Sequence, residues 1–228
     1  MSINRKRAGV LPGVVLALWI SPAGAADSPV PMLFDPAKGI DKDWLRHSFL
    51  GETEWTAATF ADRPAIRARG RNSATVLVRQ INVDWRKCPE IEWSWAVTAV
   101  QPSADIRAKG TDDVAASISL LFGDPGSKWW PKAVPMLRYA WTSGNEPAGR
   151  AIPNPYAPKV VMVVAVERGA ARLGEWRTYR RNVALDYAQA FGRPPEAAIQ
   201  ALSIFSDNDQ TKEPVEAFYG AARAVCRP

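Results

Sequence analysis

Oxygen-bearing side chains are concentrated in the stretch "SDNDQT", directly after an apolar segment near the end of the chain. They are Asp207, Asn208, Asp209 and Thr211. Such oxygens suit a hard cation like Ca²⁺, which takes about six to eight of them. An EF-hand is excluded, because Lys212 stands where that loop needs glycine and Phe218 where it needs an acid. Three interpretations remain: a structural calcium site at Asp207 and Asp209, a ligand-binding or catalytic loop, or an Asx turn with ordinary ion pairs.

A second pair of acids, Asp112 and Asp113, follows a Lys-Gly dipeptide at the start of another strand-like segment. If this pair stands opposite Asp207 and Asp209, two loops assemble one site. Such a site could hold a cation, contact a polar ligand or act in catalysis. Paired carboxylates hydrolyse glycosidic bonds when they face each other about 5–9.5 Å apart.

Tryptophan is abundant, with ten residues in the chain. Trp93, Trp95 and Trp141 lie on apolar faces, where a large ring fills the core. Trp129 and Trp130 differ, because they are adjacent in the loop-like "GSKWWPKAVP" and cannot both turn inward easily. Flat indole faces stack on sugar rings, so we predict that this pair contacts a ligand. The alternative is that it anchors its loop.

A long polar stretch, "TSGNEPAGRAIPNPYAP", separates two strong strand patterns. Structured loops at the ends of a sandwich are common places for binding sites. Asn154 and Tyr156 are the residues we predict to make polar and stacking contacts there. An insertion without a role is the alternative.

Histidine and cysteine limit the chemistry. His47 is the only histidine, which excludes zinc or copper sites with several histidines. It lies in the strand-like "WLRHSFL", and no Gly-x-Ser-x-Gly elbow accompanies it, so we assign it a structural role. Cys88 and Cys226 are expected to form a disulfide in an exported protein, with two separate buried thiols as the alternative.

The hydrophobic pattern predicts mostly short strands. In "PEIEWSWAVTAV" the apolar side chains alternate with polar ones, and "LRYAW" and "DDVAASISLLF" alternate in the same way. One helix is expected in "NVALDYAQAFGRPP", with Asn182 as its cap and Gly192 as its stop. We therefore predict an all-β fold, an antiparallel β-sandwich of jelly-roll type with one short helix.

The N-terminus reads as a signal peptide over residues 1–25, followed by a single sandwich domain over residues 26–228. This prediction rests on three features: a basic start, an apolar run of 11 residues, and the small residues Ala23-Gly24-Ala25. Removing the leader lowers the formal net charge from +6 to +3, since it holds three basic residues and no acid. The mature chain has no nucleic-acid-binding pattern and no membrane span, so we expect a periplasmic or secreted protein.

Several blocks of the chain resemble a bacterial family known as domain of unknown function 3047. They are "KGTDDVAASISLLF", "LRYAWTSG", "NPYAPKVVMVV", "LGEWRTYRRNVALDYAQAFGRPP" and "SIFSDNDQTKEPVEAFYG". The likeness extends over roughly residues 44–225. It implies a secreted jelly-roll-like β-sandwich of the kind found in carbohydrate-binding modules, and no established activity.

These observations predict an exported binding module for a glycan or another polar extracellular ligand. One alternative is a carbohydrate-active enzyme that uses two of the four aspartates in the acidic stretches. Another is a structural or interaction protein of the cell envelope, without a small ligand. The sequence leaves the ligand and the oligomeric state open.

Overall fold

The computed structural model describes residues 31–124, 126, 133–147 and 150–227. The predicted signal peptide, Trp129 and Trp130 lie outside these residues. The strands are β1 (Met32–Phe34), β2 (Trp44–Leu50), β3 (Glu54–Phe60), β4 (Arg63–Gly70), β5 (Ala74–Val83), β6 (Glu90–Ala99), β7 (Ala116–Phe122), β8 (Met136–Thr142), β9 (Ala151–Pro153), β10 (Val161–Arg168), β11 (Arg177–Asn182), β12 (Ile199–Asp207) and β13 (Val215–Val225). The helix α1 is Val183–Phe191.

The strands form two sheets that pack face to face. One has six strands in the order β11-β6-β13-β4-β3, with β1 added on β13. The other has seven strands in the order β2-β5-β12-β7-β8-β10-β9. The predicted all-β sandwich of jelly-roll type is confirmed.

One pair of strands departs from the antiparallel pattern. β8 and β10 run parallel, and Val161 at the start of β10 pairs with Met136 at the start of β8. The connection between them contains β9 and carries the chain back along the length of the sandwich. This return is possible because the polar stretch predicted as a loop is long enough to span a strand.

Large aromatic side chains fill the space between the sheets. Trp93 and Trp95 of β6 are almost fully buried, as the alternation of that strand predicts. Tyr139 and Trp141 of β8 face them, and the Trp93 and Tyr139 rings stack with centroids 4.9 Å apart. Truncating one of these large rings to alanine typically costs about 3–5 kcal/mol.

The short helix packs its inward side chains, Val183 and Tyr187, against the core of the sandwich. The Asn182 side chain accepts a hydrogen bond from the Leu185 amide, and Gly192 ends the helix in the left-handed conformation at φ 72°. Tyr187 faces inward and contacts the Phe122 ring at 4.6 Å between centroids. Both predicted ends of the helix are therefore confirmed.

The predicted disulfide is confirmed. Cys88 precedes β6 and Cys226 follows β13, and the bond joins them at the end of the ladder where Val225 pairs with Glu90. In the part of the chain that the structure describes, no helix is long and apolar enough to cross a membrane.

Candidate functional site

Three carboxylates meet at one corner of the sandwich, which we call the acid corner: Asp113, Asp207 and Asp209. Each contributes one oxygen to a group in which all three oxygens lie within 4.8 Å of one another. Asp207 is the last residue of β12, and Asp113 belongs to the segment that enters β7. The two acidic stretches singled out in the sequence therefore stand opposite each other.

Hydrogen bonds hold the acid corner together. Both oxygens of Asp113 accept from the 210–211 turn, at 2.7 Å from the Thr211 amide, 2.5 Å from the Thr211 hydroxyl and 3.3 Å from the Gln210 amide. Asp207 Oδ1 accepts from the Val114 amide at 2.9 Å. Each stretch thus fixes the backbone of the other. These bonds also agree with the turn interpretation of the sequence.

Asn208 does not join the acid corner. Its Oδ1 accepts from the Ser73 amide at 3.1 Å, and its Nδ2 donates to the Glu213 carbonyl at 2.8 Å. The side chain therefore ties the turn between β4 and β5 to the segment that precedes β13.

The acid corner has an unbalanced negative charge. Burial, and then the charge of Asp113, raise the pKa of the Asp207 carboxyl well above its usual value. The same two causes raise the pKa of Asp209. None of the three carboxylates forms an ion pair with a lysine or arginine in the described ranges.

The donors at the acid corner are those that a hard cation prefers. Asp113, Asp207 and Asp209 could hold such an ion with one carboxylate oxygen each. The buried Gln101 amide lies close by, since its Nε2 donates to the Asp207 carbonyl at 2.5 Å. Its Oε1 has no partner among the described residues, so an oxygen ligand remains available beside Asp207.

Asp112 lies on the other side of its segment, with two further residues predicted from the sequence. Its Oδ2 accepts from Asn154 Nδ2 at 3.3 Å, and burial raises the pKa of its carboxyl. Asn154 Oδ1 accepts from the amides of Tyr156 and Ala157, at 3.1 Å each. The Tyr156 ring is 54% exposed, and its hydroxyl accepts from the Gly110 amide at 3.2 Å. Asp112, Asn154 and Tyr156 are therefore brought together.

An arginine that we did not predict lies on the outer face of the seven-stranded sheet. Arg138 of β8 donates from Nε to the Ser119 hydroxyl at 3.3 Å, and its guanidinium carbon lies 5.3 Å from the centre of the Phe205 ring. Burial lowers its pKa, while the charges of Asp207 and Asp112 act to raise it. Neither terminal nitrogen of Arg138 has a hydrogen-bond partner in the described chain. Its guanidinium therefore has donors left for a ligand.

Aromatic side chains extend this face toward β2. The Phe49 ring contacts Phe205 with centroids 6.2 Å apart, and the His47 imidazole contacts Phe49 at 4.7 Å. Phe49 is 68% exposed. The signal for this face was present in the alternation, because Arg138 and Phe205 occupy outward positions beside inward Leu137 and Ile204. We name Arg138, Ser119, Phe205, Phe49 and Asp112 the arginine face.

Comparison with solved structures gives similar sandwiches at low sequence identity. The family 11 carbohydrate-binding module of the cellulosomal cellulase Lic26A-Cel5E of Clostridium thermocellum is 9% identical, with a TM-score of 0.47 over 88% of this chain and 97% of that one. A family 28 module specific for non-crystalline cellulose is 13% identical, with a TM-score of 0.43 over 90% and 98%. A family 30 module of another Clostridium thermocellum cellulase is 10% identical, with a TM-score of 0.43 over 86% and 96%.

Comparison with curated proteins gives no match. The sequence profile of one family matches most of the chain, over residues 42–223. That span contains the acid corner, the arginine face and the helix. The chain therefore belongs to the family described as protein of unknown function DUF3047.

Proposed function

We propose that this protein is an exported binding module that holds a glycan on its arginine face. The observation that carries the proposal is the arrangement around Arg138. A guanidinium whose terminal nitrogens have no partner among the described residues lies over the Phe205 ring, and the charge of Asp112 acts on its pKa.

The chemistry of this face suits a sugar. A pyranose has an apolar C–H face and a rim of hydroxyls, so it needs a flat apolar surface beside donors and acceptors. Phe49 provides an exposed ring. The terminal nitrogens of Arg138 can donate to two neighbouring hydroxyls, and Asp112 can accept from a third. Asn154 holds the Asp112 carboxylate in place, which reduces the entropy lost on binding.

Export is part of the same proposal. A disulfide between Cys88 and Cys226 is consistent with an oxidising compartment. The signal peptide predicted over residues 1–25 would direct the chain across the membrane. We therefore propose a periplasmic or secreted location, where polysaccharides are present.

We also propose that the acid corner holds a structural Ca²⁺. The proposal is supported by three converging carboxylates, by the raised pKa of Asp207 and by the unpartnered Gln101 oxygen. The ion would neutralise the corner and fix the segment from Asp112 to Val114. It would thereby hold Asp112 in position on the arginine face.

The test is binding of the mature protein to a panel of soluble oligosaccharides by titration calorimetry. Arg138→Gln should weaken binding about tenfold or more, because a charge-assisted hydrogen bond contributes roughly 1.5–3 kcal/mol. Arg63→Gln is the matched control, since Arg63 lies 4.2 Å from the Trp176 ring and donates to Ser94 on the opposite outer face. Its affinity should stay within about twofold of the parent protein.

Equal affinities of Arg138→Gln, Phe49→Ala and the parent protein would contradict the proposal. Release of reducing ends from the bound glycan would instead support the alternative of a carbohydrate-active enzyme. In that case Asp113→Asn and Asp207→Asn would abolish turnover in a folded protein. A complete lack of glycan binding would leave the envelope interaction protein as the better hypothesis.

A further inference from the structure

A cleft opens at the lateral edge of the sandwich, away from the arginine face. It lies between β10 of the seven-stranded sheet and β11 at the edge of the six-stranded sheet, and its volume is about 450 Å³. Its lining includes Val164, Val166, Glu167, Tyr179 and Arg181. Pockets of about 300–1,000 Å³ are the usual size for small-molecule sites.

The polar groups of the cleft are fixed in place. The Tyr179 hydroxyl donates to Glu167 Oε2 at 2.5 Å, and Arg177 Nε donates to the same oxygen at 3.1 Å. Arg181 binds the Asp186 carboxylate through two nitrogens, with Nε 2.8 Å from Oδ2. A ligand would therefore meet side chains that need little ordering.

Hydrogen-bond donors are in excess around the cleft. Arg177 pairs with Glu167 and Glu175, and Arg181 pairs with Asp186. Arg168 instead donates from Nη1 to the Glu146 carbonyl at 2.9 Å and forms no ion pair with a described residue. Glu167 and Asp186 each already accept from a tyrosine and an arginine. Nη1 of Arg181 has no hydrogen-bond partner in the described ranges, so the unmet need is for acceptors.

Two buried tryptophans, Trp93 and Trp95, lie beneath the cleft and contact the Tyr179 ring. Trp93 and Trp95 pair across from Tyr179 and Arg177, and the indole nitrogens of both are buried without a partner among the described residues. An indole N–H can only donate. A buried donor without a partner needs an explanation such as a water or a ligand.

The apolar part of the cleft indicates the shape of the ligand. Val164, Val166 and the Tyr179 ring form one surface, and the Tyr179 ring is itself supported by Trp93 at 5.6 Å between centroids. Such a surface suits the C–H face of a sugar ring. The Arg168 guanidinium, which has no carboxylate partner among the described residues, suits a carboxylate, because arginine binds that group through two parallel hydrogen bonds.

We infer that this cleft is a second binding site and that it takes a carboxylate-bearing sugar unit, a hexuronate. The sugar ring lies on Tyr179 and the two valines, and its carboxylate faces Arg168 and Arg181. The inference does not rest on glycan binding at the arginine face, because the two sites share no residue.

The experiment uses galacturonic acid as the probe and galactose, which lacks the carboxylate, as its neutral counterpart. Binding to the mature protein is followed by tryptophan fluorescence, because Trp93 and Trp95 lie beneath the cleft. Galacturonic acid should give a saturable change, and galactose should bind about tenfold more weakly or not at all.

Two variants test the location of the site. Arg168→Gln should weaken galacturonic acid binding about fivefold, and Val166→Trp should abolish it by filling the cleft. Arg172→Gln is the control, since the exposed Arg172 pairs with Glu175 in the turn before β11 and does not line the cleft.

Three outcomes would overturn the inference: no saturable change with galacturonic acid, equal affinity for both sugars, or unchanged binding in both Arg168→Gln and Val166→Trp. Thermal unfolding of each variant shows whether it is folded. Loss of binding in Arg138→Gln but not in Val166→Trp would assign the uronate to the arginine face instead. That result would refute the cleft while supporting the proposed function.

Discussion

The acid corner and the lateral cleft both contain buried carboxylates, and they balance the charge in opposite ways. At the cleft, Asp186 is matched by Arg181 and by the Tyr139 hydroxyl, which donates at 2.8 Å. At the acid corner, three carboxylates share backbone donors and no ion pair with a described residue. The Asp186 carboxylate is therefore matched by a cation without any ligand. At the acid corner Arg138 offsets part of the charge from a distance, and protons or a bound cation would have to offset the rest.

The largest expected effect on stability comes from removing the cation that pairs with Asp186 beside the cleft. Arg181→Leu would leave the Asp186 carboxylate, which is 8% exposed, without its cation. We expect the free energy of unfolding in urea to fall by about 3 kcal/mol, as for other buried pairs that lose one partner. Arg180→Leu is the matched control, because the adjacent Arg180 pairs with Glu90 on the exposed face. A loss below about 1 kcal/mol is expected there; equal losses in the two variants would refute the comparison.

The second largest expected effect is the stabilisation of the fold when calcium binds at the acid corner. Calcium at about 100 times its dissociation constant should stabilise the parent protein by about 2.7 kcal/mol. The measurement is the midpoint of thermal unfolding in chelator and in calcium. Asp207→Asn should lose this response, whereas Asp105→Asn, in a nearby exposed pair with Arg107, should keep it. A parent protein that does not respond to calcium would contradict the proposed ion.

The smallest expected effect is the pH dependence of the contribution that Asp207 makes to the free energy of unfolding. Because the pKa of Asp207 is raised on folding, its stabilising contribution is complete below the unfolded value of 3.8 and is lost as the pH rises through the folded value. In chelator, Asp207→Asn should thus stabilise the protein by on the order of 1 kcal/mol near neutral pH. That gain should shrink on acidification. A gain that is constant from neutral pH to about pH 4 would exclude Asp207 as its source.

Local patterns in the sequence were enough to predict the fold. Alternation identified the inward Trp93 and Trp95, and the capping residues identified both ends of α1, because each of these signals lies within one element. The parallel pairing of β8 with β10 was not predictable in this way. It depends on how a long connection travels across the sheet, and no short-range signal encodes that.

The candidate site was predictable only in part. Asp113 and Asp207 could be singled out because acids cluster at both strand ends. Neighbouring side chains on an extended segment point to opposite sides. Asp113 therefore points into the acid corner, and Asp112 points toward Asn154. Which of the two would turn inward is set by packing. The cleft was not predicted, because Glu167 and Tyr179 meet only once both sheet edges are in place.

The disulfide between Cys88 and Cys226 has a consequence for the resistance of the chain to proteolysis. The two cysteines are separated by 138 positions, so more than half of the 228-residue chain is one covalent loop. A single backbone cut anywhere between them leaves both pieces joined, and the fragments can still pair as strands of the same sheets. Fragment release would then require a second cut within the loop or reduction of the bond. The sandwich is thereby protected against the first nick, even in loops that a protease can reach.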